Sequence, residues 1–194
     1  RTPQENAQRY FAKYNKQKRT FEALSELIQE TADEIRYLES VSNSLDIALS
    51  EADLGQIKEE LTASGYVRRK FTKKKVKLTN KPMHYISSDG YDIYVGKNNI
   101  QNDELTFSFA NGGDWWFHAK GAPGSHVIVK TNGDELPDRT FEEAGRLAAY
   151  YSKNRGSDKV EIDYIEKKHV KKPNGAKPGF VVYYTNYSLV IDSD

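Results

Sequence analysis

From residue 7 to residue 49, apolar residues recur at the first and fourth positions of a seven-residue repeat. The first positions are Ala7, Tyr14, Phe21, Ile28, Ile35, Ser42 and Leu49; the fourth are Tyr10, Gln17, Leu24, Thr31, Leu38 and Leu45. Nine of these thirteen are large and apolar or aromatic, with Glu, Lys and Arg on the other faces. That is the pattern of a coiled-coil helix. Pro3 suits its first turn, and at 1.5 Å per residue such a helix is roughly 65 Å long. Ser50 and Asp53 form a capping box ahead of a second helix from Glu51 to Ser64, with Gly65 as its natural stop. The second helix is too short to cover the seam of the first. The pattern therefore predicts a partner helix, supplied either by a missing upstream region or by another copy of the chain.

From Met83 the period changes to that of short strands. His84–Ile86 and Tyr91–Val95 flank the turn Ser87-Ser88-Asp89-Gly90 and predict a hairpin. Asn102 is placed to cap a short helix from Asp103 to about Ala110. Trp115–Ala119 and His126–Lys130 predict strands around the loop Lys120–Ser125. Thr140 with Glu143 predicts a capping box opening a helix to about Ser152. Val160–Ile165 predicts a strand, and 180–184 with 188–191 a closing pair of strands. The fold class is α+β: a long coiled-coil helical arm followed by a mostly antiparallel sheet module with two helices. The expected domains are an arm over 1–66, a basic linker over 67–82 and the module over 83–194.

Charge sharpens this division. The chain of 194 residues has a net charge of +1, but residues 1–66 carry −4, residues 67–82 carry +8 and residues 83–194 carry −3. The run Arg68, Arg69, Lys70, Lys73, Lys74, Lys75 and Lys77 contains no acid, and has two readings: a point-charge track for RNA phosphates, or a solvated linker. A second cluster, Lys167, Lys168, His169, Lys171 and Lys172, lies beside a Pro-Gly-rich loop whose backbone amides near Gly175 and Gly179 suit anions; an exposed loop is the alternative. There is no cysteine, hence no disulfide framework and no thiolate metal site. No run of eighteen apolar residues is present, so no helical membrane insertion is expected. The first residues, Arg1 to Glu5, read as a cut inside a longer protein.

The stretch Asp114–His126 concentrates candidate chemistry. His118 and His126 with Asp114 have weak spacing for a metal, and adjacent Ser125 and His126 do not face each other as nucleophile and base. Strand periodicity places Trp115 and Phe117 on one face and Trp116 and His118 on the other. Trp116, His118 and Lys120 are then candidates for stacking on a nucleobase or touching backbone phosphate, with core packing as the alternative. No catalytic constellation, metal site or cofactor motif is found, so no enzyme activity is expected.

Asp114-Trp115-Trp116-Phe117-His118 followed by Pro123-Gly124-Ser125-His126-Val127 resembles the signature of the NFACT-R domain. Val95–Asn99 with Asn102-Asp103, Leu147–Ser152, and 170–173 with 175–179 agree with it. The arm, with Asn6-Ala7, Tyr10-Phe11, Tyr37-Leu38-Glu39 and Gly65-Tyr66, resembles the descending half of that family's middle coiled coil. Gly145 departs from the pattern, which has Ala there. The resemblance implies an RNA-binding module with large ribosomal subunit RNA and tRNA as partners, in the family of RqcH-like quality-control factors that add C-terminal alanines to stalled chains. It implies a cytoplasmic protein. A second implied function is an adhesin at the cell surface that binds fibronectin or fibrinogen, because members also carry that label.

Overall fold

In a computed structural model of the chain, residues 2–68 and 80–192 are described. Two compact units divide at Leu38/Glu39. The first consists of the body of helix α1 (Pro3–Ile47) up to Leu38. Its helix is continuous, as the heptads predict. Along it Tyr10, Tyr14, Phe21, Leu24, Ile28 and Ile35 are all exposed. One amphipathic helix has no means of burying its own stripe.

The second unit begins at Glu39 and contains the last turns of α1, helix α2 (Glu51–Ala63) and the sheet module. The capping box predicted for α2 is present: the Ser50 side chain accepts from the Asp53 N–H, and the Asp53 carboxylate accepts from the Ser50 N–H. Ser64 ends the helix and Gly65 follows at φ 84°, a left-handed turn that glycine adopts without strain. The sequence assigned α2 to the arm, yet it packs as part of the same compact unit as the sheet.

Six antiparallel strands form one sheet in the order β1-β2-β4-β3-β5-β6. They are β1 (Met83–Ile86), β2 (Asp92–Val95), β3 (Trp115–Ala119), β4 (Val127–Val129), β5 (Lys159–Glu166) and β6 (Tyr187–Asp192). The period-2 alternation sets the layers. Ile93, Val95, Phe117, Ala119, Val127, Val129, Val160, Ile162 and Ile191 point to one face and pack under Ala144 and Ala148 of helix α4 (Asp138–Tyr150). Each large aliphatic or aromatic side chain so buried contributes roughly 1.5–3 kcal/mol. Gly145 belongs to this contact: a Cβ there would lie 2.8 Å from Leu189 Cδ1 and 3.2 Å from Ile191 Cδ1. Its absence lets β6 come close to α4. Trp116, Ile128 and Ile165 point to the other face, where Leu105, Ala110 and Val170 cover them.

Three local expectations change. Asn98, not Asn102, caps the short helix α3 (Asn99–Asp103), its side chain accepting from the Gln101 N–H. A π-helical turn follows over Glu104–Phe109, closed by Ala110 N–H to Leu105 O at 2.9 Å. Thr140 and Glu143 do not form a capping box, because Pro137 occupies the N-cap. Instead the Thr140 hydroxyl meets Ser87 and Asp89, and the Glu143 carboxylate accepts from the Ser88 N–H, so both tie α4 to the β1–β2 turn. Residues 180–184 do not pair with 188–191. They make only a bridge from Val182 to Lys171, while Val181 and Tyr183 cover the second face of the sheet and β6 pairs with β5.

Candidate nucleic-acid interface

Of the predicted basic run, Arg68 is described and exposed. Arg69, Lys70, Lys73, Lys74, Lys75 and Lys77 lie outside the described residues. Their flanks are well fixed. Before the run, Tyr66 and Val67 N–H both donate to Leu61 O, and Lys177 Nζ donates to the Tyr66 hydroxyl at 3.2 Å. After it, the Asn80 amide donates to Asp53 Oδ1 at 2.6 Å and to Gln56 Oε1 at 3.1 Å. Lys97 Nζ reaches both Asn80 Oδ1 and Asp53 Oδ1, at 2.6 and 2.7 Å. Burial by itself raises the Asp53 carboxyl, but the Lys97, Leu49, Asn80 and Ser50 donors outweigh it and hold it far below the usual carboxylate range.

Asn80 belongs to a buried amide network that joins α2 to α3. The Asn98 and Gln101 amides both donate to Gln56 Oε1 at 2.8 Å, and the Asn99 amide donates to Glu60 Oε1 and Ser40 Oγ at 2.8 Å. Asn98, Asn99, Gln101 and Asn102 are all buried. The signal for this joint was present as four amides in five residues, but a side chain that can only hydrogen-bond does not reveal its partner from sequence.

Most of the Asp114–His126 signature proves to be internal, apart from the exposed turn at Lys120 and Gly121. Trp116 is 0% exposed. Its ring lies 4.9 Å from Tyr183, 5.2 Å from His126 and 5.6 Å from His118. The face expected to meet a base is covered by the segment around Val181 and Tyr183, so stacking by Trp116 is ruled out. The His118 ring is stacked at 12° on Trp116, and burial pushes its pKa down to about 4 against the opposing pull of Gly124, Asp163 and Ala119. It is therefore neutral at pH 7 and supplies no cation to a phosphate. His126 is buried and also driven well below its usual value, by burial and then by His118. His126 Nδ1 shares a 2.8 Å hydrogen bond with the Thr106 hydroxyl, and its N–H donates to Asn102 Oδ1. Asn102 reaches that position only because residue 96 is Gly: a Cβ there would lie 2.1 Å from Asn102 Oδ1.

The other signature residues also hold the fold. Asp114, buried, pairs with Lys130 at 2.5 Å and accepts from the Asn111 and Thr131 N–H groups. Pro123 O accepts from Lys153 N–H, Gly124 bridges to Ser152, and Ser125 N–H donates to Tyr151 O. Trp115 packs edge-on against Phe141 at 5.0 Å. Among the described residues no group of three His, Cys, Asp or Glu is placed to hold a metal.

The candidate lysines of the module divide. Lys172 is a structural staple, with Nζ 2.6 Å from Asp103 and 2.8 Å from Lys177 O, and so is a poor phosphate ligand. Lys120 is exposed but paired to Glu161 at 2.5 Å, and Lys168 is exposed and paired to Glu166. Lys171 is exposed. Aromatic rings that do reach the surface lie elsewhere. His84 and Tyr94 stack at 4.6 Å and 11°, and Phe109 meets the edge of Tyr94 at 4.7 Å with Lys130 Nζ 4.9 Å above its ring.

Comparison with known proteins assigns this architecture. The NFACT protein RNA binding domain matches residues 81–184, and the NFACT N-terminal and middle domains match residues 1–80. The chain belongs to the NFACT family. It is 50% identical over 183 residues to the Rqc2 homolog RqcH of Streptococcus suis, covering 94% of this chain and 33% of that protein. The RqcH of Bacillus subtilis is 43% identical over 197 residues, covering 100% of this chain and 34% of that protein. Human ribosome quality control complex subunit NEMF is 37% identical over 81 residues, 41% of this chain and 7% of that protein. The chain thus spans about a third of the length of the bacterial relatives it matches. Among solved structures, the C-terminal part of the fibronectin/fibrinogen-binding protein from Streptococcus suis superposes with a TM-score of 0.88 at 46% identity, covering 100% of this chain and 77% of that one. The boundary between the two family domains falls at 80/81, at the end of the basic run.

Proposed function

We propose that this chain is the RNA-binding C-terminal part of a ribosome-associated quality-control factor, engaging large-subunit RNA and tRNA in the cytoplasm. The observation that carries the reading is the match of residues 81–184 to an RNA-binding domain, immediately preceded by fourteen residues, 67–80, of net charge +7. The names of the RqcH and NEMF relatives support the ribosomal setting. In this reading the chain contributes RNA affinity to alanine tailing carried out by a longer protein, and performs no chemistry itself. A cationic run attracts RNA by releasing its counterions and does not select sequence. With about five phosphates engaged, log affinity falls against log salt with a slope of roughly −3 to −4.5.

The test replaces Arg68, Arg69, Lys70, Lys73, Lys74, Lys75 and Lys77 with Gln. Binding to large-subunit RNA should weaken uniformly and the salt slope should flatten, with the melting temperature little changed. Equal binding by variant and parent at low and moderate salt refutes the role of the run. A second reading, an adhesin module, draws on the name of the Streptococcus suis structure. Binding of immobilised fibronectin or fibrinogen by the parent, undiminished by the Gln variant, would favour it.

A further inference from the structure

The second face of the sheet is covered over β3, β4 and β5 by Leu105, Ala110, Val170, Val181 and Tyr183, and Tyr94 of β2 packs against that cluster, but the face opens at the edge strand β1. There His84, across from Tyr94 in the strand register, is exposed, and Ile86 is 68% exposed. We propose that the His84–Tyr94–Phe109 cluster on this open face is a stacking platform for an unpaired RNA base. This rests on the RNA-binding reading above and assigns it a surface.

Three observations carry it. First, the rings are organised before any ligand arrives. His84 lies parallel on Tyr94 at 4.6 Å, held in its plane by a 2.6 Å hydrogen bond from Nε2 to Asp92, and Phe109 closes the far side at 4.7 Å. Second, Phe109 is delivered by the π-helical turn Glu104–Phe109. That winding is rare, and recurs at functional sites. Leu105 and Thr106 of the turn are buried, while Phe109 is left 43% exposed beside Tyr94. Third, cations border the rings. Lys130 Nζ sits over Phe109, Lys167 Nζ lies 5.9 Å from the centre of Phe107, and the exposed Lys168 follows it. Lys81, also exposed, is three residues before His84 and closes the +8 run. Lys130 and Lys168 are themselves paired to Asp114 and Glu166, which leaves Lys81 and Lys167 of these four to meet a phosphate. Exposed aromatic rings bordered by cations suit a base and its phosphate together. In a paired A-form helix the faces of the bases are already occupied, so the platform discriminates for unpaired nucleotides.

The test compares the chain with H84A/F109A by fluorescence anisotropy, using a labelled twelve-nucleotide single-stranded RNA of mixed sequence and a twelve-base-pair RNA duplex. A stacked base contributes roughly 5- to 150-fold in affinity. The double variant should lose about tenfold or more for the single strand, keep the parent affinity for the duplex and keep the parent salt slope. H84Y/F109W should keep the single-strand affinity. His84 lies on an edge strand, so H84A alone gives the same direction of change should the double variant melt early. Equal losses for both RNAs, or no loss for either, overturn the platform while leaving RNA binding intact. A parent chain that binds neither RNA at low salt rejects the RNA reading itself.

Discussion

Asp53 is the most informative single position for how this unit holds together. Its carboxylate serves two structures at once. As the third residue of α2 it accepts from the Leu49 and Ser50 N–H groups, at 3.0 Å each. Across the joint it accepts from Asn80 and pairs with Lys97, its own side chain only 3% exposed and that of Lys97 15%. Loss of a helix cap costs about 0.5–2 kcal/mol. Leaving one member of a buried pair without its partner costs about 3–5 kcal/mol. The two share one carboxylate and do not simply add, so D53A should lose about 3–5 kcal/mol. For a unit of this size that is a fall of roughly 6–20 °C in melting temperature. D53A/K97M should be more stable than the sum of the two single variants requires, because it removes the orphaned ammonium together with its partner. Urea unfolding followed by tryptophan fluorescence is the suitable assay, since both tryptophans, Trp115 and Trp116, lie in β3, far along the chain from α2. A loss seen there means α2 and the sheet unfold as one. Two results would refute the reasoning: a D53A loss below about 1 kcal/mol, or additive effects of D53A and K97M.

Two further outcomes follow from buried groups. G145A should leave the melting temperature unchanged or lower it, because a helix-propensity gain of about 1 kcal/mol is offset by about 1–3 kcal/mol of crowding against Leu189 and Ile191; in an L189A background the same change should become favourable, and a rise above about 2 °C in the parent background contradicts this. The depressed pKa of His118, about 4, against about 6.5 unfolded means the unfolded chain takes up a proton that the folded chain refuses. The stability this group contributes is complete above pH 6.5 and falls as pH drops towards 4, by about 2 kcal/mol between pH 7 and 5. H118Q should flatten that part of a urea-measured pH profile, and an unaltered slope would show that His118 protonates in the folded state.

Repeating periods were legible in the sequence, and pairing partners were not. The seven-residue repeat predicts α1 as one helix, and the two-residue alternation locates five of the six strands to within a residue or two. The alternation also separates Trp115 and Phe117 from Trp116 and His118 correctly. It says nothing about whether a face is covered, and that is where the site reading failed: Val181 and Tyr183, more than sixty residues away, turn the expected surface into a second core. Thr140 with Glu143 failed for a related reason. Their spacing fits a capping box, but spacing is blind to the Ser87–Asp89 turn that takes both side chains. The amide network at Asn98–Asn102 was invisible because its hydrogen bonds to Ser40, Gln56, Glu60 and His126 each cross more than twenty residues.

A further set of contacts that the sequence does not reveal flanks the basic run. Read from composition, residues 67–82 connect an arm to a module, and a connector samples many positions relative to what it joins. Both flanks of the run are instead fixed within the same compact unit, Tyr66 and Val67 by Leu61 and Lys177, and Asn80 by Asp53, Gln56 and Lys97. The described residues on either side of the run are therefore anchored on one body. Anchors on both sides of a charge block would hold the phosphates it attracts at high effective concentration beside them. Charge and shape would then act on one stretch of RNA, the run supplying the salt-dependent part of the affinity and the module the discrimination. Asn80 is the anchor nearest both the run and β1. N80A should consequently weaken RNA binding without removing a single positive charge, leaving the salt slope as in the parent. If N80A instead changes the slope and not the affinity at fixed salt, the anchoring has no part in recognition and the run acts as an independent polycation.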